Sequence, residues 1–224
     1  MNGKIFTLRD GQAMTELTQT PYENESIFQA LIEKHPEILA REQINPENPR
    51  KWILISREMG VSLDEGRGSL DHLYIDQDAI PTFIEVKRGT DTRIRREVVG
   101  QMLDYAANGI QFWSIKDIRS AYERNILDGE TTILSDIGVE DEDTFWQNVD
   151  MNLRNVRLLF VADVIPTSLQ AIIEFLNKQM RATEVYGLEI KQFIGNDGSK
   201  TLVPTLIGRT ASAVQAKRGC LNIL

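Results

Sequence analysis

The sequence predicts an α/β protein, in the α/β or α+β class, with a mixed sheet flanked by helices. Three observations predict it. Hydrophobic periodicity gives a helix, three strands, a helix and a strand, then a strand-helix-strand-strand unit. The apolar run Val156 to Val164 (VRLLFVADV) is that of a strand buried on both faces. Asn196-Asp197-Gly198 is a hairpin signal between two strand-like segments.

Taken in order, residues 1–20 are polar and predict an arm or an edge strand. From Asn24 or Glu25 to Leu39, Ile27, Phe28, Leu31, Ile32, Ile38 and Leu39 keep helical spacing, with Pro36 ending or bending the helix. Pro46 and Pro49 mark a loop, and Trp52 to Met59 reads as a strand. Asp64 to Gly68 is a turn or mobile loop. Ser69–Ile75 and Thr82–Lys87 are two short strands, with Asp76, Asp78 and Pro81 in the turn between them. A long helix follows, capped by Asp91 or Thr92, with Val98, Val99, Met102, Leu103, Tyr105 and Ala106 as its apolar stripe and Asn108-Gly109 as its end. Gln111–Ser114 predicts a further strand, Lys116–Arg124 a helix, and Thr144–Leu153 another. Pro166 suits the first turn of a helix through Met180, and Glu184–Ile194 and Thr201–Ile207 read as strands. The expected organisation is a core at 20–115, a smaller C-terminal accessory lobe at 140–208 packed on it, and a tail at 209–224.

Composition narrows the function classes. The single cysteine, Cys220, excludes an intramolecular disulfide and points to a reducing cytoplasm. One Cys and two His (His35 and His72) make zinc a poor fit, so a metal here would be Mg²⁺ or Mn²⁺ on oxygen ligands. No apolar run approaches the roughly 18 to 20 residues that span a bilayer, and Met1 to Asp10 lacks the apolar stretch of a secretory signal. The formal net charge is −8, and the eight acidic residues between Asp128 and Asp150, where there is no Lys or Arg, account for all of it. Lys87 to Arg96, by contrast, holds five basic residues against Asp91. Arg88, Arg93 and Arg96 are candidates for phosphate contact, and equally for a solvated helix face.

The chemistry concentrates in Ser69 to Gly109. Glu85 and Lys87 are two residues apart on one strand, so they leave the same face, and Asp71 on the preceding strand can meet them. Two carboxylates and an ammonium would then converge within an otherwise apolar stretch (Phe83, Ile84, Val86). Attack on a phosphodiester builds negative charge. A hard cation held by Asp71 and Glu85 offsets that charge and acidifies a bound water. Lys87, beside two carboxylates, stays protonated at rest and is better suited to stabilising the transition state than to acting as a base. His72 should face away from this site, and Trp52, Trp113 and Trp146 are core residues.

The spacing Asp71-x13-Glu85-x-Lys87 resembles the PD-(D/E)XK nuclease superfamily, with Leu70 where the motif name has proline. Gln101-x3-Tyr105 on the following helix resembles the added motif of its RecB-like branch. Arg67, Leu70-Asp71 and IEVKRG look like the NucS-type mismatch and flap endonucleases and related bacterial proteins. The likeness covers residues 23–109. It implies a restriction-endonuclease-like core and metal-dependent cleavage of DNA in repair, restriction or mobile-element defence. It further implies that Gln101 orients the site or a phosphate, and that a first-helix glutamate completes the metal set. Glu25 is the best match for that glutamate, ahead of Glu33 and Glu23. Arg67, Arg88, Arg93, Arg96 and Tyr105 are the implied nucleic-acid contacts, Tyr105 with the alternative of packing beneath the metal. A homodimer is allowed. The rival is a catalytically inactive nuclease-fold module for protein or nucleic-acid interaction, whose acidic segment 128–150 docks a basic partner.

Overall fold

The strand that carries Glu85 and Lys87 lies inside an eight-stranded mixed sheet. A computed structural model describes residues 4–8, 14–63, 66–89, 97–127 and 133–209, with backbone alone at 62, 63, 66 and 67. Numbered in chain order, the strands lie in the sequence β1 (Ile5–Thr7), β2 (Thr15–Gln19), β7 (Glu184–Gly195), β6 (Arg157–Ala162), β5 (Pro81–Lys87), β4 (Gly66–Asp76) and β3 (Trp52–Leu63). The eighth, β8 (Lys200–Ile207), also pairs with β7. β5, β6 and β7 run parallel, and the other pairs are antiparallel.

Parallel neighbours need crossovers, and helices supply them. The chain from β5 to β6 holds α3 (Glu97–Phe112), α4 (Ile115–Leu127) and α5 (Glu142–Asn152), and the chain from β6 to β7 holds α6 (Thr167–Gln179). These four cover one face, where Met102, Tyr122, Trp146 and Ile173 pack on Leu73, Phe83 and Leu158. The other face carries α1 (Glu25–Lys34) and the short α2 (Arg41–Ile44), with Phe28, Ile32 and Ile44 packed in one core with Tyr74, Ile84, Val86 and Leu159. With both faces covered, β5 and β6 are buried almost throughout, which is why they read as unbroken apolar runs. Each fully buried aliphatic or aromatic side chain there stabilises by about 1.5–3 kcal/mol. Asn24 caps α1 by accepting the Ile27 N–H at 2.8 Å, and α1 stops at Lys34, just before His35-Pro36.

Several expectations are corrected. Asn108-Gly109 does not end α3, which continues to Phe112, so Gln111–Ser114 is not a strand. Gly109 is a packing glycine instead: a Cβ there would lie 3.0 Å from the Trp113 ring and 3.1 Å from Phe83. Residues 140–208 do not stand apart as a lobe. They supply β6, β7 and β8 of the same sheet, because β5, buried on both faces, needs a backbone partner on each edge. The polar N-terminal stretch forms β1 and β2, and the β3–β4 hairpin reaches Leu63 and Gly66, beyond the predicted ends. No helix among the described residues is long and apolar enough to cross a membrane.

Candidate functional site

The site begins where the β4–β5 ladder stops. Paired positions run from Ile75–Pro81 to His72–Ile84 and no further. Beyond that point the Asp71 side chain takes over, its Oδ2 accepting the Val86 N–H at 2.7 Å. An irregularity in β3 explains the orientation. Glu58 lies opposite Asp71, between the pairs Arg57–His72 and Met59–Leu70, and adopts the left-handed φ of 54°. In a regular strand, residues two apart share a face. Here Arg57 reaches α1 while Met59 lies in the core under α3 to α6. Alternation therefore breaks at Glu58 and Asp71, and the Asp71 carboxylate turns toward β5.

Lys87, the last residue of β5, is ringed by carboxylates. Its Nζ lies 2.9 Å from Glu85 Oε1, 3.2 Å from Glu25 Oε2 and 4.0 Å from Asp71 Oδ2. Glu25 comes from the first turn of α1, the positive end of that helix. Glu85 is fully buried, and the Lys87 ammonium is its one partner among the described residues. Burial pushes the Glu85 carboxyl up to about 7, with Asp71 repulsion adding to the shift and Lys87 opposing it. Burial also raises Asp71, against the pull of Lys87, the Val86 N–H and the Gln29 amide. For Lys87 burial works the other way, but Glu85, Asp71 and Glu25 outweigh it and hold the ammonium protonated. Lys87 is thus no base in the resting protein.

Sequence reasoning missed three supports. Gln29, one helical turn after Glu25, hydrogen-bonds Asp71 and accepts from Arg57 Nη2 at 3.2 Å. Arg57 also donates to Glu33 Oε2 at 3.2 Å, so Glu33, the weaker candidate for a metal ligand, is engaged elsewhere. The spacing of four between Glu25, Gln29 and Glu33 was the available signal. Asp163, just past β6, accepts the Gly89 N–H with Oδ1 and ties the end of β5 to the end of β6. Its signal was a carboxylate closing an apolar run.

The other predicted residues divide. Gln101 donates to Tyr105 Oη at 2.7 Å, so the two share a helix face as expected, and Tyr105 is buried in the core under the sheet. Among the described residues no hydrogen bond joins Gln101 to Asp71, Glu85 or Lys87. Arg88 is half-buried with an unpartnered Nε. Arg93, Arg96, the Arg67 side chain and residues 128–132 lie outside the described residues. His72 is fully buried beside Asp71, and burial, helped by Arg57, lowers it to about 4, which keeps it neutral. Asp76 is more than a turn residue, being buried between Arg50 and Arg157.

The donor set suits a hard divalent cation. Its ligands would be oxygens, and the Glu85 carboxylate is buried with the Lys87 ammonium as its one partner among the described residues. Asp71 and Glu85 would hold such an ion, with Glu25 at its edge. Among the described residues no three His, Cys, Asp or Glu side chains are already gathered as a metal centre; the Lys87 ammonium stands among the carboxylates. No family model matches the chain, and no curated protein or solved structure shows significant similarity to it.

Proposed function

We propose that the chain is a Mg²⁺- or Mn²⁺-dependent endonuclease of the PD-(D/E)XK type, hydrolysing DNA phosphodiesters in the cytoplasm in repair, restriction or mobile-element defence. One observation carries this reading: the Lys87 ammonium within 2.9 to 4.0 Å of Glu85, Glu25 and Asp71, at the end of a buried parallel strand. Such a buried, charge-unbalanced group is an unfavourable structural device and a useful catalytic one.

Asp71 and Glu85 bind the cation, which when present supplies a Lewis acid and a water of lowered pKa. The Val86 N–H and the Gln29 amide hold the Asp71 carboxylate in place. Lys87 keeps its proton and offsets charge building on the phosphoryl oxygens in the transition state. Glu25 steadies the ammonium at 3.2 Å and orients it. The second reading, a nuclease-fold interaction module without catalysis, draws on the ammonium already standing among the carboxylates and on the net charge of −8.

The experiment is cleavage of single-stranded, flapped and duplex DNA in Mg²⁺ or Mn²⁺. Scission that is abolished by chelation and by Asp71→Asn supports the endonuclease. Intact DNA of all three kinds at micromolar protein, in either metal, favours the module.

A further inference from the structure

A cavity of about 320 Å³ opens beside the carboxylate cluster, in a notch of the sheet. β7 pairs with β6 as far as Glu189 and with β2 from Phe193 onward. Between these two stretches, Ile190 and Lys191 have no strand partner on that edge among the described residues, and Gln192 accepts the Thr20 N–H at 2.9 Å. The notch lies at the C-terminal ends of the parallel strands β5 and β6, where open α/β sheets take ligands. Two parts of its lining are close in the chain to members of the cluster. Gly89 is two residues past Lys87. Thr20 and Pro21 lead into Tyr22, which donates to the Ile190 carbonyl at 3.2 Å, and then to Glu25.

The cavity is built rather than incidental. Asp163 is 4% exposed, and its Oδ1 accepts the Gly89 N–H. A Cβ on Gly89 would lie 2.8 Å from the Val164 Cβ and 3.0 Å from the Val164 carbonyl oxygen, so the ends of β5 and β6 are pressed together. Among the described residues no Lys or Arg pairs with Asp163, and nothing donates to its Oδ2. A carboxylate accepts only, so this wall repels phosphate and offers an acceptor to an N–H donor. The Gln19 side chain adds an amide group, Gln192 lines the wall with its Nε2 donating to the Thr20 carbonyl at 3.4 Å, and Pro21 and Val164 offer apolar edges to a flat ring.

We propose that this cavity receives the nucleoside adjoining the cleaved phosphate, and that Asp163 selects a base bearing an exocyclic amino group. An acidic side chain accepting from such an amine is a known mode of base readout. The assignment rests on the nuclease reading, and supplies it with a base preference set by the protein.

The test is titration of the isotope-labelled full chain, in chelator, with deoxycytidine, deoxyadenosine and thymidine, followed by NMR. Uncharged nucleosides and the absence of metal separate the cavity from the chemistry. The first two should shift the amides of Gly89, Val164 and Gln192, and thymidine should bind at least about fivefold more weakly. Asp163→Asn, which keeps an acceptor for Gly89, should weaken deoxycytidine about tenfold. Val164→Trp should fill the cavity and abolish binding; residue 164 is 41% exposed, so the fold tolerates it even if the Asp163 variant does not fold. Equal binding of thymidine, shifts at other residues, or indifference to both variants overturns the proposal. Nucleoside binding without DNA cleavage keeps the cavity and removes the nuclease reading, whereas cleavage without nucleoside binding removes the subsite alone.

Discussion

Two charged clusters sit at opposite ends of β5, and they are built on different principles. At the start of the strand, Arg157 donates to Asp76 Oδ2 at 2.9 Å, to Thr82 Oγ1 at 3.1 Å and to Glu184 Oε2 at 2.8 Å. Arg50 adds a second cation on Asp76 and pairs with Asp78, while Asp76 Oδ1 accepts the N–H groups of Asp78 and Ile80. Arg157 also lies over the Trp52 ring, 5.6 Å from its centroid. Its neighbours hold it in the charged form despite burial. At the other end a single ammonium faces three carboxylates, and Glu85 has no other partner among the described residues. The first cluster is nearly complete in the protein alone, with Arg50 Nε and Trp52 Nε1 its buried nitrogens without a partner among the described residues. The second has surplus negative charge in a buried place. Saturation is what a structural ion network needs; a deficit of cations is what the proposed metal site needs.

The comparison breaks most visibly on stability. Arg157→Met removes the donor shared by Asp76, Thr82 and Glu184, leaving Asp76 to Arg50 alone among the cations, and should cost about 3–5 kcal/mol in denaturant unfolding, with or without Mg²⁺. If Lys87→Met costs as much and Mg²⁺ fails to offset the loss, the two ends are alike and the contrast disappears.

Next in size is the rate effect. Lys87→Ala should lower cleavage by about 10²-fold or more, since its charge acts in the transition state. Lys87→Arg keeps the charge but not the shape of the donor and should recover little. Among the described residues the ammonium is also the one neutralising partner of Glu85, so the metal-free Lys87→Ala protein should lose stability at pH 8. A fully active Lys87→Ala protein ends the catalytic assignment.

A smaller effect comes from proton linkage. The folded Glu85 carboxyl sits near 7, above its ordinary 4.5, so between these values the folded protein holds a proton that the unfolded chain has lost. The stability this contributes is complete below about pH 4.5 and is lost as pH rises through about 7. Glu85→Gln should therefore match the parent protein at pH 4.5 and exceed it at pH 8 by on the order of 1–3 kcal/mol in metal-free buffer. Equal stability at both pH values would mean that Glu85 is satisfied after all.

The smallest effect concerns approach of DNA. Replacing Arg93 and Arg96 with Ala should flatten the salt dependence of binding by at most about 2 units, one for each phosphate no longer neutralised. Neutralising the acidic residues 140–143 should strengthen binding only modestly. An unchanged slope in the arginine variant moves the DNA path away from residues 88–96.

The two clusters also differ in how readable they were. The open one was visible because its members break a local rule: Glu85 and Lys87 interrupt an apolar strand at a spacing of two, and Asp71 follows from the adjacent strand. The closed one was invisible because Arg157 is the lone basic residue in an apolar run, and its partners, Asp76 and Glu184, come from distant turns and strands. Periodicity placed α1, β5, β6 and α6, where burial follows the local pattern. It misplaced the end of α3 because a glycine needed for contact with Trp113 and Phe83 looks like a helix stop. It separated residues 140–208 from the core because parallel pairing of β5 with β6 joins positions 75 residues apart, such as Thr82 and Arg157, and leaves no local trace. The left-handed Glu58 opposite Asp71, which turns the key carboxylate, has no sequence signature.

The most direct measurement is calorimetric titration of Mn²⁺ into the full chain between pH 5.5 and 8.5, alongside Glu85→Gln and Arg157→Met. The parent protein should bind the ion more tightly as pH rises through about 7, releasing a proton as the raised Glu85 carboxyl ionises. Glu85→Gln should lose this binding, and Arg157→Met, if folded, should keep it. Absence of Mn²⁺ binding across the range, or binding that Glu85→Gln leaves unchanged, would contradict the assignment of the Asp71–Glu85–Lys87 cluster as a metal-dependent active site.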